Sequence, residues 1–128
     1  MSLILSHVDL RVRNRAMATE FYDALLSTLG AIKHTGEDFT SWRVPPRDAP
    51  DDWDGEWFGI IEDPQHVPNG TRIAFAAPTR GTIDAIATIL PAIGALAIEG
   101  PSEAYGPDYY ACFFEDPDGN KLEICCLG

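Results

Sequence analysis

Three side chains of this sequence have the types and spacing to do chemistry: His7, Arg72 some 65 positions later, and Glu123 near the C-terminus. An imidazole ligates metals and moves protons near neutral pH. A carboxylate ligates hard cations or serves as a base. A guanidinium stays protonated and grips anions with a planar fork. Trp57, Tyr105, Tyr109 and Tyr110 could line a pocket around them, although aromatic residues in strands more often pack across strands.

These residues need a frame, and the chain supplies one twice. From Ile4 to Val12 the pattern alternates, so Leu5, His7, Asp9 and Arg11 share one face of a strand. From Arg15 the period turns helical, with Ala18, Phe21, Tyr22, Leu25 and Leu29 as its stripe, Asn14 as cap and Gly30 as stop. Strands are predicted over 31–33, 40–44 and 57–61. Residues 63–70 read as a linker, rich in proline and ending in Asn69-Gly70. The pattern then restarts with a strand over 71–76 that places Arg72, Ala74 and Ala76 on one face. A helix follows from about Thr82, striped by Ile83, Ile86, Leu90 and Ile93, with Pro91 expected to kink or shorten its last turn. Strands are predicted over 96–98, 109–114 and 122–126, the last two joined by a tight turn at Asp116-Pro117-Asp118-Gly119. Each half reads β-α-β-β-β, an internal repeat.

Composition narrows the function classes. A formal charge of −11 argues against nucleic acid, whose phosphates need a basic face. The longest apolar run is broken by Pro91 and Gly94 and is too short to cross a bilayer, so no membrane partner is expected. No secretory signal is expected at the start. Cys112, Cys125 and Cys126 have no paired spacing and read as strand packing, which suits a reduced, cytoplasmic setting. His34 and His66 read as surface residues. The acidic segment 45–56 is either a solvated loop or a lid carrying Trp53 and Trp57.

Ser6-His7-Val8-Asp9-Leu10-Arg11-Val12, the run Phe21-Tyr22-Asp23-Ala24-Leu25-Leu26, and the stretch from Tyr109 through Asp116-Pro117-Asp118-Gly119 to Glu123 carry a family likeness. With the tandem modules, they resemble the vicinal oxygen chelate superfamily of glyoxalases, bleomycin-resistance proteins and extradiol dioxygenases. The likeness spans nearly the whole chain and is most specific in the last stretch. It implies a single α+β domain over 1–128, with module one at about 3–62 and module two at about 71–127. The modules' curved mixed sheets would form a cup with the helices outside. It also implies metal ligands on the first and last strands of each module. His7 and Glu123 match, but Arg72 stands where a histidine belongs and Gly59 where the counterpart of Glu123 belongs.

A catalytic divalent site usually keeps three protein ligands, and Arg72 would set a fixed positive charge in the same cup. The expected cofactor is therefore none. The leading reading is a cup that binds a small, partly aromatic or anionic molecule through His7, Trp57, Arg72, Tyr105, Tyr109, Tyr110 and Glu123. Arg72 and Glu123 should meet there, either as an ion pair that satisfies both or with Arg72 free to hold an anionic ligand end. The alternative is a lyase, isomerase or dioxygenase with one zinc, nickel, iron or manganese ion on His7 and Glu123. Another residue or the second chain of a homodimer would complete that site, with Glu123 serving in catalysis. A third reading is a member kept for structure or interaction alone.

Overall fold

The computed structural model describes residues 4–44 and 56–127. Its elements run β1 (His7–Val12), α1 (Arg15–Ser27), β2 (Ile32–Thr35), β3 (Phe39–Arg43), β4 (Trp57–Glu62), β5 (Arg72–Ala76), α2 (Arg80–Ile93), β6 (Leu96–Glu103), β7 (Tyr109–Glu115) and β8 (Lys121–Leu127). The repeat is thus realised as β-α-β-β-β twice, an α+β architecture. The chain divides into two compact units, Met1–His66 and Val67–Gly128, and the division falls within the 63–70 stretch. Most of the acidic segment, with Trp53, lies outside the described residues.

In the first unit the sheet order is β1-β4-β3-β2, with β1 parallel to β4 and the other pairs antiparallel. Asn14 caps α1 as expected, its side chain accepting from the Met17 amide at 3.0 Å. The stripe of α1 buries Ala18, Phe21, Tyr22, Leu25 and Leu26. The Tyr22 ring lies 6.0 Å from Trp42 and 5.1 Å from Phe58, which gives this core an aromatic centre. The Trp42 indole cannot leave its N–H unmet in such a core, and it donates to Asp23 Oδ1 at 3.0 Å.

The second unit repeats the topology as β5-β8-β7-β6. Thr79 caps α2 by accepting from the Thr82 amide at 3.1 Å. The core here is mainly aliphatic, with Ile83, Ile86 and Leu90 of α2 fully buried together with Leu122 and Ile124. Pro91 does not shorten the helix, which continues to Ile93 and ends at Gly94 with φ 96°. So close to the C-terminus the proline removes one amide donor, and the Gly94 amide bonds to the Leu90 and Pro91 carbonyls. The strand expected over 96–98 runs on to Glu103, through two register shifts against β7 and a left-handed Gly100 at φ 92°. The 116–119 turn is fixed by the buried Asp116 carboxylate, which accepts from the Asp118 and Asn120 amides, both at 2.9 Å, and from Asn120 Nδ2 at 2.8 Å.

Candidate functional site

Side chains on a strand alternate between faces, and in each unit one face packs on the helix. The other face carries the chemistry. In the second unit β5 and β8 pair Arg72 with Lys121 and Ala74 with Glu123, while β8 and β7 pair Glu123 with Phe113 and Cys125 with Ala111. Arg72, Phe113, Tyr109, Glu123 and Cys125 therefore share the face turned away from α2. The strand assignment made from sequence is in register.

Arg72 and Glu123 nevertheless do not form the expected ion pair. The Arg72 guanidinium donates to the Leu122 carbonyl at 2.6 Å and lies over the Phe113 ring, 5.1 Å from its centroid. The Glu123 carboxylate, only 5% exposed, accepts a hydrogen bond from the Tyr109 hydroxyl. A buried carboxylate needs a donor, and a phenol from the neighbouring strand supplies one without adding charge. Tyr109 in turn is pushed well above the ordinary tyrosine range by its side-chain interactions with Cys125 and then Glu123, with burial adding to both. The Tyr105 ring, itself largely exposed, stands edge-on to Tyr109 at 5.1 Å and to Phe113 at 6.3 Å, so three aromatic rings cluster on this face. Glu115 pairs with Lys121 at 3.2 Å on the same face.

Tyr110 departs from expectation. It follows Tyr109 directly, so alternation turns it to the helix side, where its hydroxyl donates to Asp84 at 2.6 Å and Arg80 lies over its ring at 4.8 Å. Burial raises the Cys112 thiol's pKa on that helix side, whereas Cys125 lies on the opposite face, near Tyr109.

In the first unit the equivalent face carries His7, Asp9 and Arg11 from β1, Trp57 and Gly59 from β4, and Ser41 and Arg43 from β3. His7 is exposed and its Nε2 lies 3.7 Å from Asp9 Oδ2. Asp9 Oδ1 occupies the space over Gly59, where a Cβ would fall 2.8 Å from it. The His34 ring packs 5.1 Å from Trp57, so His34 is a partly buried member of this sheet and not a surface residue. Asp9, Phe113 and Cys125 were missed as site residues. Their signal was present in the alternation that puts them beside His7, Glu123 and Tyr109.

The donors do not fit a divalent metal centre of the expected kind. Glu123 is held by a phenol on a face that also carries a guanidinium, and His7 has Asp9 as its near neighbour. Among the described residues no three His, Cys, Asp or Glu side chains group to hold an ion. No described helix is long and apolar enough to cross a membrane.

The family model for the Glyoxalase/Bleomycin resistance protein/Dioxygenase superfamily matches residues 4–124. Among solved structures, a glyoxalase/bleomycin resistance protein from Albidiferax ferrireducens T118 superposes with a TM-score of 0.81 at 28% identity, covering 98% of this chain and 100% of that one. A family enzyme from Burkholderia phytofirmans PsJN has a TM-score of 0.71 at 17% identity, covering 96% and 98%. The fosfomycin resistance protein FosX from Mesorhizobium loti has a TM-score of 0.69 at 17% identity, covering 100% and 95%. The last two show likeness of fold. A comparison with curated proteins finds no match. The match over residues 4–124, on a twice-repeated β-α-β-β-β frame, places this chain in the Glyoxalase/Bleomycin resistance protein/Dioxygenase superfamily.

Proposed function

We propose that this protein binds a small molecule with an anionic or strongly polar end and an aromatic or apolar body, without a resident metal. The observation that carries this reading is the division of partners between Arg72 and Glu123. Tyr109 satisfies the carboxylate, so the guanidinium keeps its charge for something else. One of its five N–H donors is engaged by the Leu122 carbonyl, and the Phe113 ring supports its plane, a preorganised posture for gripping a carboxylate or similar anion. Tyr105, Tyr109 and Phe113 offer the apolar surface such a ligand's body needs. His7 and Trp57 belong to the corresponding face of the first unit. The three free cysteines accord with a reduced, cytoplasmic setting.

Thermal-shift screening tests the reading, since a ligand that binds only the folded state raises the midpoint. Benzoate and phenolic acids are expected to raise it, and Arg72→Ala to abolish the rise. If only neutral or cationic analogues give shifts, and Arg72→Ala leaves those unchanged, the reading is wrong. Elemental analysis of protein purified without chelator should give well below one equivalent of zinc, nickel, iron or manganese. Near-stoichiometric metal on His7 and Glu123 would replace this reading with the metal-dependent lyase, isomerase or dioxygenase.

A further inference from the structure

Among the aromatic rings near Arg72, one is carried by no strand. Tyr105 lies in the connection between β6 and β7, is 75% exposed, and meets Tyr109 and Phe113 edge-on. Two main-chain bonds shape that connection: the Ala104 amide donates to the Tyr109 carbonyl at 3.1 Å, and the Tyr109 amide to the Gly106 carbonyl at 3.2 Å. A further hold comes from the other side of the sheet. Arg80, the first residue of α2, donates from Nη1 to Glu103 Oε2 at 2.9 Å and from Nη2 to the Pro107 carbonyl at 2.6 Å. One guanidinium thus ties the chain on both sides of Tyr105 to the helix. It also lies over the Tyr110 ring at 4.8 Å, and the Tyr110 hydroxyl donates to Asp84, one turn further along α2.

An arginine at the first helical position does little for the helix itself. That end carries the positive pole of the macrodipole, and no acidic residue stands in the first turn of α2 to offset it. An exposed pair with Glu103 would by itself stabilise little. The planar fork, however, meets two acceptors at once in a fixed geometry, which a single ammonium could not reproduce. We propose that Arg80 is a positioning residue for the ligand site. From the helix side of the sheet it fixes residues 103–107 and so sets the Tyr105 ring beside Tyr109 and Phe113, where that ring meets the aromatic body of a ligand held by Arg72. The proposal rests on the Arg72 reading and adds to it a residue that acts on the ligand through Tyr105.

The test is a benzoate titration of the full chain as wild type, Arg80→Met, Tyr105→Ala and the double variant. An aromatic contact is worth about three- to tenfold in affinity, so Tyr105→Ala should lose that much and Arg80→Met a comparable factor. Because the arginine acts through Tyr105, the double variant should lose no more than Tyr105→Ala alone. A second readout needs no ligand: Arg80→Met should speed hydrogen exchange at the Ala104 and Tyr109 amides, which close the connection. Tyr110→Phe keeps a ring beneath the guanidinium and should leave both readouts as in the wild type. If Arg80→Met does not fold, Arg80→Gln, whose one amide nitrogen cannot span both acceptors, takes its place with the same expectations. Wild-type affinity in the Arg80 variant overturns the proposal, as does unchanged amide exchange. So does a double variant whose loss is the product of the two single losses. Each of these outcomes leaves the Arg72 reading standing, whereas a wild type without saturable benzoate binding removes that reading and this proposal together.

Discussion

The two units share one topology but solve the same register step in opposite ways. In the first, the parallel pair sets Asp9 of β1 beside Gly59 of β4; in the second, it sets Ala74 of β5 beside Glu123 of β8. Each unit keeps one carboxylate and one small residue, exchanged between strands. The consequence lies in the third strand. Across from Gly59 stands Ser41, with an unmet hydroxyl, and across from Glu123 stands Phe113, with Arg72 on its ring. The scaffold is preserved while the two faces carry different chemistry: in the first a carboxylate lies over a glycine beside an unmet hydroxyl, and in the second a phenol holds the carboxylate and a guanidinium rests on an aromatic ring. A fold repeated within one chain does not repeat its function.

The cores differ as well, and the largest effects expected are there. Trp42→Ala, which empties the aromatic centre of the first unit, should cost about 3–5 kcal/mol in chemical denaturation, and Ile86→Ala in the second about 2–4 kcal/mol. A comparable or reversed order would remove the distinction between an aromatic and an aliphatic core. Next comes the turn before β8. Asp116→Ala strips three hydrogen bonds from a buried site and is expected to cost about 3 kcal/mol, read in the same experiment.

Tyr109→Phe probes the carboxylate itself. It leaves Glu123 buried without its donor, so a loss of about 1–3 kcal/mol is expected. The pH dependence follows from the raised tyrosine. The folded state holds the phenol proton more tightly than the unfolded chain, whose tyrosine titrates near 10. This contribution is therefore fully present below pH 10 and declines as pH rises above it. Ultraviolet titration should show Tyr109 and Tyr110 ionising later than an ordinary tyrosine, Tyr110 because it donates to Asp84, and Tyr109→Phe should diminish that late phase. The smallest effect is expected at the adjacent residue. Tyr110→Phe loses only the hydroxyl contact to Asp84 on the helix side and should leave ligand-induced thermal shifts unchanged. A change as large as that of Tyr109→Phe would mean that the two faces of β7 are not distinct in function.

Much of this was legible before any coordinates. Two-residue and three-to-four-residue periods located both helices, every strand's neighbourhood and the restart at residue 71, because burial of one face imposes those periods on any sequence that folds this way. Alternation also put His7 with Asp9 and Arg72 with Ala74 on common faces. What failed were pairings across strands. Glu123 was matched to Arg72 by charge alone, yet the antiparallel neighbour β7 brings a phenol within reach, and its hydrogen bond satisfies the buried carboxylate. Tyr109 and Tyr110 were treated alike, although period two alone separates them.

The chain's own pattern determined the elements, their order, the duplicated module and the residue types available on each face. Only the tertiary structure decided partners: that Arg72 rests on Phe113 and the Leu122 carbonyl, that Tyr109 takes Glu123, and that Asp9 fills the space Gly59 leaves. The physical reason is range. Periodicity is a local consequence of backbone geometry, whereas a side chain's partner depends on which strand lies next to it and in what register. That is settled by packing between segments as far apart as Arg72 and Leu122.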